Sequence, residues 1–171
     1  MAAGATYVPI ATQTVSGSST TTVNFSSVPQ TYTDIVLVSN GSLSHTGSAI
    51  NFRVGSSNSA DTGTNYSQTR AINYVGNSNY VSSDANITQG SIDGSSWSTT
   101  AKNAATTHFM NYANTNTYKT MLNRSGYPAD QAEMDVVLWR NTAAINFIQL
   151  WCDTGYIYSG SQFTLYGIAS A

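Results

Sequence analysis

The chain reads as an all-β protein, a two-sheet antiparallel β-sandwich of jelly-roll-like arrangement, on three observations. Serine, threonine and asparagine supply 63 of its 171 residues and eleven more are tyrosine. That composition starves helix interiors and suits pleated strands joined by turns. Apolar residues recur as about ten to twelve short runs between polar clusters, the spacing of sandwich strands. No stretch keeps the periodicity of an amphipathic helix, and no repeat of solenoid or propeller length is present.

Taken in order, Tyr7 to Ile10 is strand-like but carries Pro9, which only an edge strand or a free arm tolerates. Residues 1–20 are therefore read as an N-terminal arm or edge strand, and residues 21–171 as a single sandwich domain. A loop or hairpin around Ser16 to Thr22 leads into a strand over Thr22 to Phe25, and Pro29 marks a turn. Thr33 to Ser39 is a strongly apolar strand closed by the turn dipeptide Asn40-Gly41. Ala49 to Val54 alternates well, residues 56–65 form a long exposed loop, and Tyr66 to Val75 resumes strand character. Residues 76–104 hold isolated Tyr80, Ile87, Ile92 and Trp97 among Ser, Asn and Gly, which predicts a surface loop or flap with at most one or two short strands. Thr106 to Ala113 and Tyr118 to Asn123 pair as a hairpin about Asn114 to Thr117. Gly126-Tyr127-Pro128 predicts a turn, followed by an acidic loop of Asp130, Glu133 and Asp135; Gln162 to Ile168 is the closing strand.

The stretch Met134 to Trp151 organises the rest: two apolar runs separated by Asn141 to Ala144. At the period of a strand, the first run places Met134, Val136 and Leu138 on one face and Val137 and Trp139 on the other. The second places Ile145, Phe147 and Trp151 opposite Ile148 and Leu150, broken only by Gln149. Apolar residues on both faces imply cover on both sides, so one face meets the core and the other a second layer, another subunit or a partner.

Charge excludes some functions. Two Lys, four Arg, seven Asp and one Glu give a net charge of −2. No basic patch is available for a phosphate backbone, so nucleic-acid binding is not expected. No apolar run approaches the length of a membrane span, and the first residues lack the pattern of a secretory leader, so no membrane association is expected. The single cysteine, Cys152, rules out an internal disulfide, fits synthesis in a reducing cytoplasm and reads as a buried filler. Five Asn-x-Ser/Thr matches are what so much Ser, Thr and Asn produces by chance.

Catalytic chemistry is sparse. His45 and His108 sit in no recognisable motif, and Asp130, Glu133 and Asp135 read as an exposed acidic turn rather than the paired carboxylates of a glycosidase. Asp61-Thr-Gly-Thr-Asn65 offers oxygen ligands but lacks the further acids of a calcium loop. No Cys/His grouping suits zinc, and no glycine-rich loop is followed by a helix and lysine. The expectation is a non-enzyme with no cofactor and no metal. What remains is surface, with tyrosine and tryptophan as the contact residues.

The phrases FSSVPQ, TYTDIVLVS, NYSQTRAINYVGN, VVLWRNTAAINFIQLW and SQFTLYGI, spanning roughly residues 20 to 168, resemble a group of small tailed-bacteriophage virion proteins. These are β-sandwich modules found as trimeric capsid cement (decoration) proteins and as distal modules of tailspikes or fibres. The resemblance implies a structural viral protein made in the host cytoplasm and placed on the virion, as a homotrimer; it carries over no functional residues. The preferred reading is a cement protein on the capsid surface that binds and stabilises the shell of the major capsid protein. Trimers would gain from multivalent contact, with the Thr-rich first twenty residues adding a strand to a neighbour. The alternative is a receptor-binding tip recognising host surface glycan, with Trp97 or Tyr127 as the stacking residue. A tail protein usually carries an attachment region, which these residues do not hold. Interface candidates are whichever of Trp139 and Trp151 faces away from the core, with Val137 or Leu138 beside it, and the loop tyrosines Tyr156 and Tyr158.

Overall fold

The computed structural model describes residues 6–76, 79–93, 99–127 and 131–169. They form twelve strands and no helix: β1 (Tyr7–Thr14), β2 (Thr22–Phe25), β3 (Asp34–Gly41), β4 (Ile50–Gly55), β5 (Tyr66–Tyr74), β6 (Tyr80–Ile87), β7 (Gly90–Asp93), β8 (Asn103–Met110), β9 (Lys119–Tyr127), β10 (Gln131–Trp139), β11 (Phe147–Cys152) and β12 (Gln162–Ile168). Eight strands make one sheet in the order β1-β12-β3-β8-β9-β10-β5-β6, and four make the other in the order β2-β11-β4-β7. Every pairing is antiparallel. The chain stays within one sheet only at β5–β6, β8–β9 and β9–β10 and crosses between sheets at every other connection. This back-and-forth wrap is jelly-roll-like, and the sequence reading of the fold class holds.

The core lies between the small sheet and the inner face of the large one. Ile50, Phe52 and Val54 of β4, with Ile148, Leu150 and Cys152 of β11, meet Ile35 and Leu37 of β3, Phe109 of β8, Met121 of β9, Val137 and Trp139 of β10, and Phe163 and Leu165 of β12. Phe52 and Phe109 meet edge to face across the two sheets, 5.8 Å between ring centres. The buried Tyr66 hydroxyl also bridges the layers, donating to the Val54 carbonyl at 2.9 Å and accepting its N–H at 3.1 Å. Burial pushes that phenol's pKa well up, so it stays a neutral donor.

Three expectations change, and the two apolar runs of Met134 to Trp151 prove to belong to different layers: β10 sits in the large sheet between β9 and β5, whereas β11 sits in the small sheet between β2 and β4. Residues 140–146 carry the chain across, anchored by Ile145, whose N–H donates to the Tyr112 carbonyl at 2.9 Å. Gly126 and Tyr127 are strand residues of β9 rather than turn residues, because β9 pairs with β10 in unbroken register from Lys119↔Trp139 to Tyr127↔Gln131. The stretch read as a surface loop or flap with at most one or two short strands does hold two, the eight-residue β6 and the four-residue β7, but it is not all surface, since Ile92 of β7 is fully buried in the core. Glu133 and Asp135 belong to β10 and are buried, and Asp130 lies outside the described residues. At the chain's start, Tyr7–Thr14 pairs with β12 at the edge of the large sheet, across a bulge at Pro9.

Two glycines are explained by close approach. A Cβ on Gly90 would stand 2.5 Å from the Phe52 ring, and one on Gly167 would stand 2.3 Å from the Tyr32 ring. Only a bare α-carbon lets each ring close over its strand.

Candidate functional site

The alternation of β10 divides the strand between two environments. Gln131, Glu133, Asp135, Val137 and Trp139 point inward and are buried, while Ala132, Met134, Val136 and Leu138 point outward. Among the described residues no layer covers the outward face of β10. Met134 and Val136 are 51% and 45% exposed. The two-faced pattern read from the sequence is therefore real, and its second face is open.

Register extends this face sideways. Met134 lies opposite Ala71 on β5, and Ala71 opposite Val81 on β6; Val136 lies opposite Thr69 and, on the other side, Leu122 of β9. Ser67, Thr69 and Ala71 are small, so the outward face sinks between the walls formed by β10 and β6. Two shallow grooves result, of about 330 Å³ beside Met134 and Val81 and about 370 Å³ beside Val136 and Leu138. The apolar character continues toward the far edge through Val38 on β3 and the edge-to-face pair Tyr7–Tyr166, 6.3 Å between ring centres. Charge on the described part of this face comes from exposed Arg124 on β9, from half-buried Arg140 just past β10, whose guanidinium donates to the Ser67 hydroxyl, and from the His108–Asp34 pair, Nε2 to Oδ2 2.9 Å, on β8 and β3.

The inward face of β10 is polar at its start. Asp135 Oδ1 accepts from Gln68 Nε2 at 2.8 Å and Arg70 Nε at 3.0 Å, and Oδ2 accepts from Asn123 Nδ2 at 2.9 Å. Arg70 Nε also lies 2.8 Å from Glu133 Oε1. Its single hydrogen is aimed at Asp135, so the Glu133 contact is ionic rather than a second directed bond. Gln131 Nε2 donates to Glu133 Oε2 at 2.8 Å. Asn123 reaches the Ile92 carbonyl of β7, and Gln68 Oε1 accepts the Ser91 N–H at 3.1 Å, so the cluster also ties the two sheets together. The exposed acidic turn expected for these residues is corrected, for Glu133 and Asp135, to an internal ionic network.

The predicted contact residues separate. Trp139 and Val137 face the core and cannot serve a partner; the Trp139 indole donates to Asp61 Oδ2 at 2.8 Å. Leu138 lies half-buried on the open face. Trp151 faces outward from the small sheet, half-buried, with the Arg53 guanidinium 4.3 Å above its ring. Tyr156 and Tyr158 pack edge to face, 5.6 Å apart, in the connection after β11. Tyr127 is half-buried at the end of β9, on the side of the buried Gln131, and Trp97 lies outside the described residues. What the sequence reading missed are Ala71 and Val81, apolar residues in polar stretches that only strand register gathers beside Met134.

Comparison with protein-family models, with curated proteins and with solved structures found no match. The site must therefore be read from its own chemistry. Among the described residues, neither histidine side chain is hydrogen-bonded to a serine, and no three His, Cys, Asp or Glu side chains gather as metal ligands. Asp61 is occupied as a structural acceptor. Burial alone would raise its pKa, but hydrogen bonds from Trp139, Asn65, Gly63 and Asn141 outweigh burial and hold the carboxyl below its ordinary range. Cys152 is buried, and burial pushes its thiol pKa up, away from reactivity.

Proposed function

We propose that this chain is a virion structural protein, an outer-capsid cement protein that assembles as a trimer and seats on the shell of the major capsid protein. The observation that carries the reading is the uncovered apolar face around Met134, Val136, Leu138 and Val81 in a chain with very few charges. A face of eight strands, each about eight residues long, spans roughly 1,000 Å² from strand spacing and rise. That compares with the roughly 800 Å² per partner of a stable protein interface. Only part of that face is apolar, and apolar side chains gathered in one exposed place on a soluble protein mark a contact surface. The resemblance of its sequence phrases to phage cement and tailspike modules suggests the biological setting.

The test is made on particles. Mass analysis and imaging of purified virions should find the chain in hundreds of copies over the head. A few copies confined to the tail would replace this reading with the receptor-binding one, and absence from particles would end both. A Val136→Asp variant, exposed in the free chain and so still folded, should lose head occupancy.

A further inference from the structure

We propose that β6 is a self-pairing edge, joining its counterpart on a second copy of this chain so that two large sheets run on as one. This goes beyond the capsid reading and does not depend on it. Two open sheets have four edges, and three of them are blunted. β1 carries Pro9, which has no N–H to donate, and a bulge between Pro9 and Ala11. β2 and β7 are four residues long. β6 is eight residues long, lacks proline, carries Asp84 as its one charge, and is exposed at Tyr80, Val81, Ser83, Asp84 and Ala85. It pairs regularly with β5 from Tyr80↔Ile72 to Ala85↔Ser67 before the bulge. Among the described residues no strand pairs with its other side, which leaves backbone donors and acceptors of the kind that natural edges are built to hide.

The sequence of β6 favours its own copy as the added strand. Antiparallel self-pairing needs a two-fold axis normal to the sheet, which keeps the outward residues Val81, Ser83 and Ala85 on one face in both copies. Centring on Ser83 sets Ser83 opposite Ser83, Val81 opposite Ala85 and Ser82 opposite Asp84 of the second copy. That register joins an apolar pair, a hydroxyl pair and a carboxylate with a hydroxyl donor. Centring on Asp84 would oppose two carboxylates, so Asp84 selects the register rather than blocking the edge. The row from Met134 through Ala71 to Val81 then continues into the second molecule, doubling the apolar face. A single strand pair is a small contact, weak in dilute solution and effective where copies are held side by side.

The test uses the full chain. Sedimentation at up to about 1 mM, the effective concentration that tethering supplies, should show concentration-dependent pairing that Ser83→Lys weakens at least tenfold by placing two ammonium groups face to face. Ser83→Cys should form a cross-linked dimer under mild oxidation, whereas Thr12→Cys on the opposite edge strand should not; Cys152 stays buried in both. A chain that is monomeric at the highest concentration, association unchanged by Ser83→Lys, or Ser83→Cys cross-linking no faster than Thr12→Cys would each overturn the proposal.

Discussion

Removing the Arg70 guanidinium should be among the most damaging single changes in the molecule. The Glu133 and Asp135 side chains are 0% exposed, Arg70 is 19% exposed, and its Nε lies 2.8 and 3.0 Å from the two carboxylates. Arg70→Met keeps the aliphatic stem but leaves two acids facing one another. Asp135 retains amide donors from Gln68 and Asn123, so the loss falls mainly on Glu133. Breaking a buried pair by deleting one partner costs about 3–5 kcal/mol. Arg70's partial contact with solvent argues for the lower end, about 3 kcal/mol. At about 2–4 °C per kcal/mol for a domain of this size, the melting point should fall by roughly 6–12 °C. Urea unfolding followed by tryptophan fluorescence measures the loss directly. Adding Glu133→Gln to Arg70→Met should recover part of it, because one uncompensated charge disappears. A cost below about 1 kcal/mol, or a double variant weaker than Arg70→Met alone, would refute the view that this cluster is held by charge pairing.

Three further changes probe other parts of the fold. Gly90→Ala drives a methyl into the Phe52 ring and to within 3.0 Å of Val137, and should cost about 1–3 kcal/mol by overpacking; Phe52→Leu in the same chain should return part of that in urea titrations. Asp61→Ala strips the acceptor from the Trp139 indole and should cost about 1.5–3 kcal/mol at pH 7. Because the folded carboxyl's pKa is lowered from 3.8, its contribution is complete above that value and lost as pH falls through the folded one. The gap between wild type and Asp61→Ala should therefore close on acidification. Lys119 is fully buried, donating to the Thr117 and Thr142 carbonyls at 2.8 and 3.0 Å, and desolvation pushes its pKa down from 10.5. The unfolded chain holds that proton more tightly, so wild type should gain stability relative to Lys119→Met as pH rises toward 10.5. A parallel pair of stability curves would show that the amine is not perturbed.

Much of the architecture was legible because strands announce themselves locally. The runs over Thr33 to Ser39, Ala49 to Val54 and Gln162 to Ile168, and the hairpin about Asn114 to Thr117, appear close to where periodicity and turn residues place them. Sheet membership was not legible: Val136 and Ile148 look alike in sequence, yet one belongs to the large sheet and the other to the small. Strand choice between layers depends on pairings made far along the chain, such as β11 with β2. The acids misled for a different reason. Glu133 and Asp135 alternate with Ala132, Met134 and Val136, a pattern that reads as loop or as a strand with its acids in water. Their burial depends on Arg70, Gln68 and Asn123 from neighbouring strands. Val81 of β6 was hidden by polar neighbours, and Tyr80 beside it read as an isolated aromatic, since an edge strand so exposed has little apolar signal to give.

The orientation of β10 is the feature that most needs a cause. From Ala132 to Val136 the strand turns its acids inward and its apolar side chains to solvent, the reverse of what a lone molecule in water should choose. Shifting the strand by one residue would exchange the faces, burying Met134 and Val136 and hydrating Glu133 and Asp135. Two anchors oppose that shift. Val137 and Trp139 would leave the core at the far end of the strand, and Asp135 would lose its three donors. Those anchors explain why the register holds but not why residues 132–136 carry apolar side chains on the open side, where serine or threonine would suit β10 as they suit β5 beside it. Ser67 and Thr69 occupy the neighbouring outward positions of β5, so the apolar side chains at the same level of β10 are what single this strand out as the contact surface proposed above.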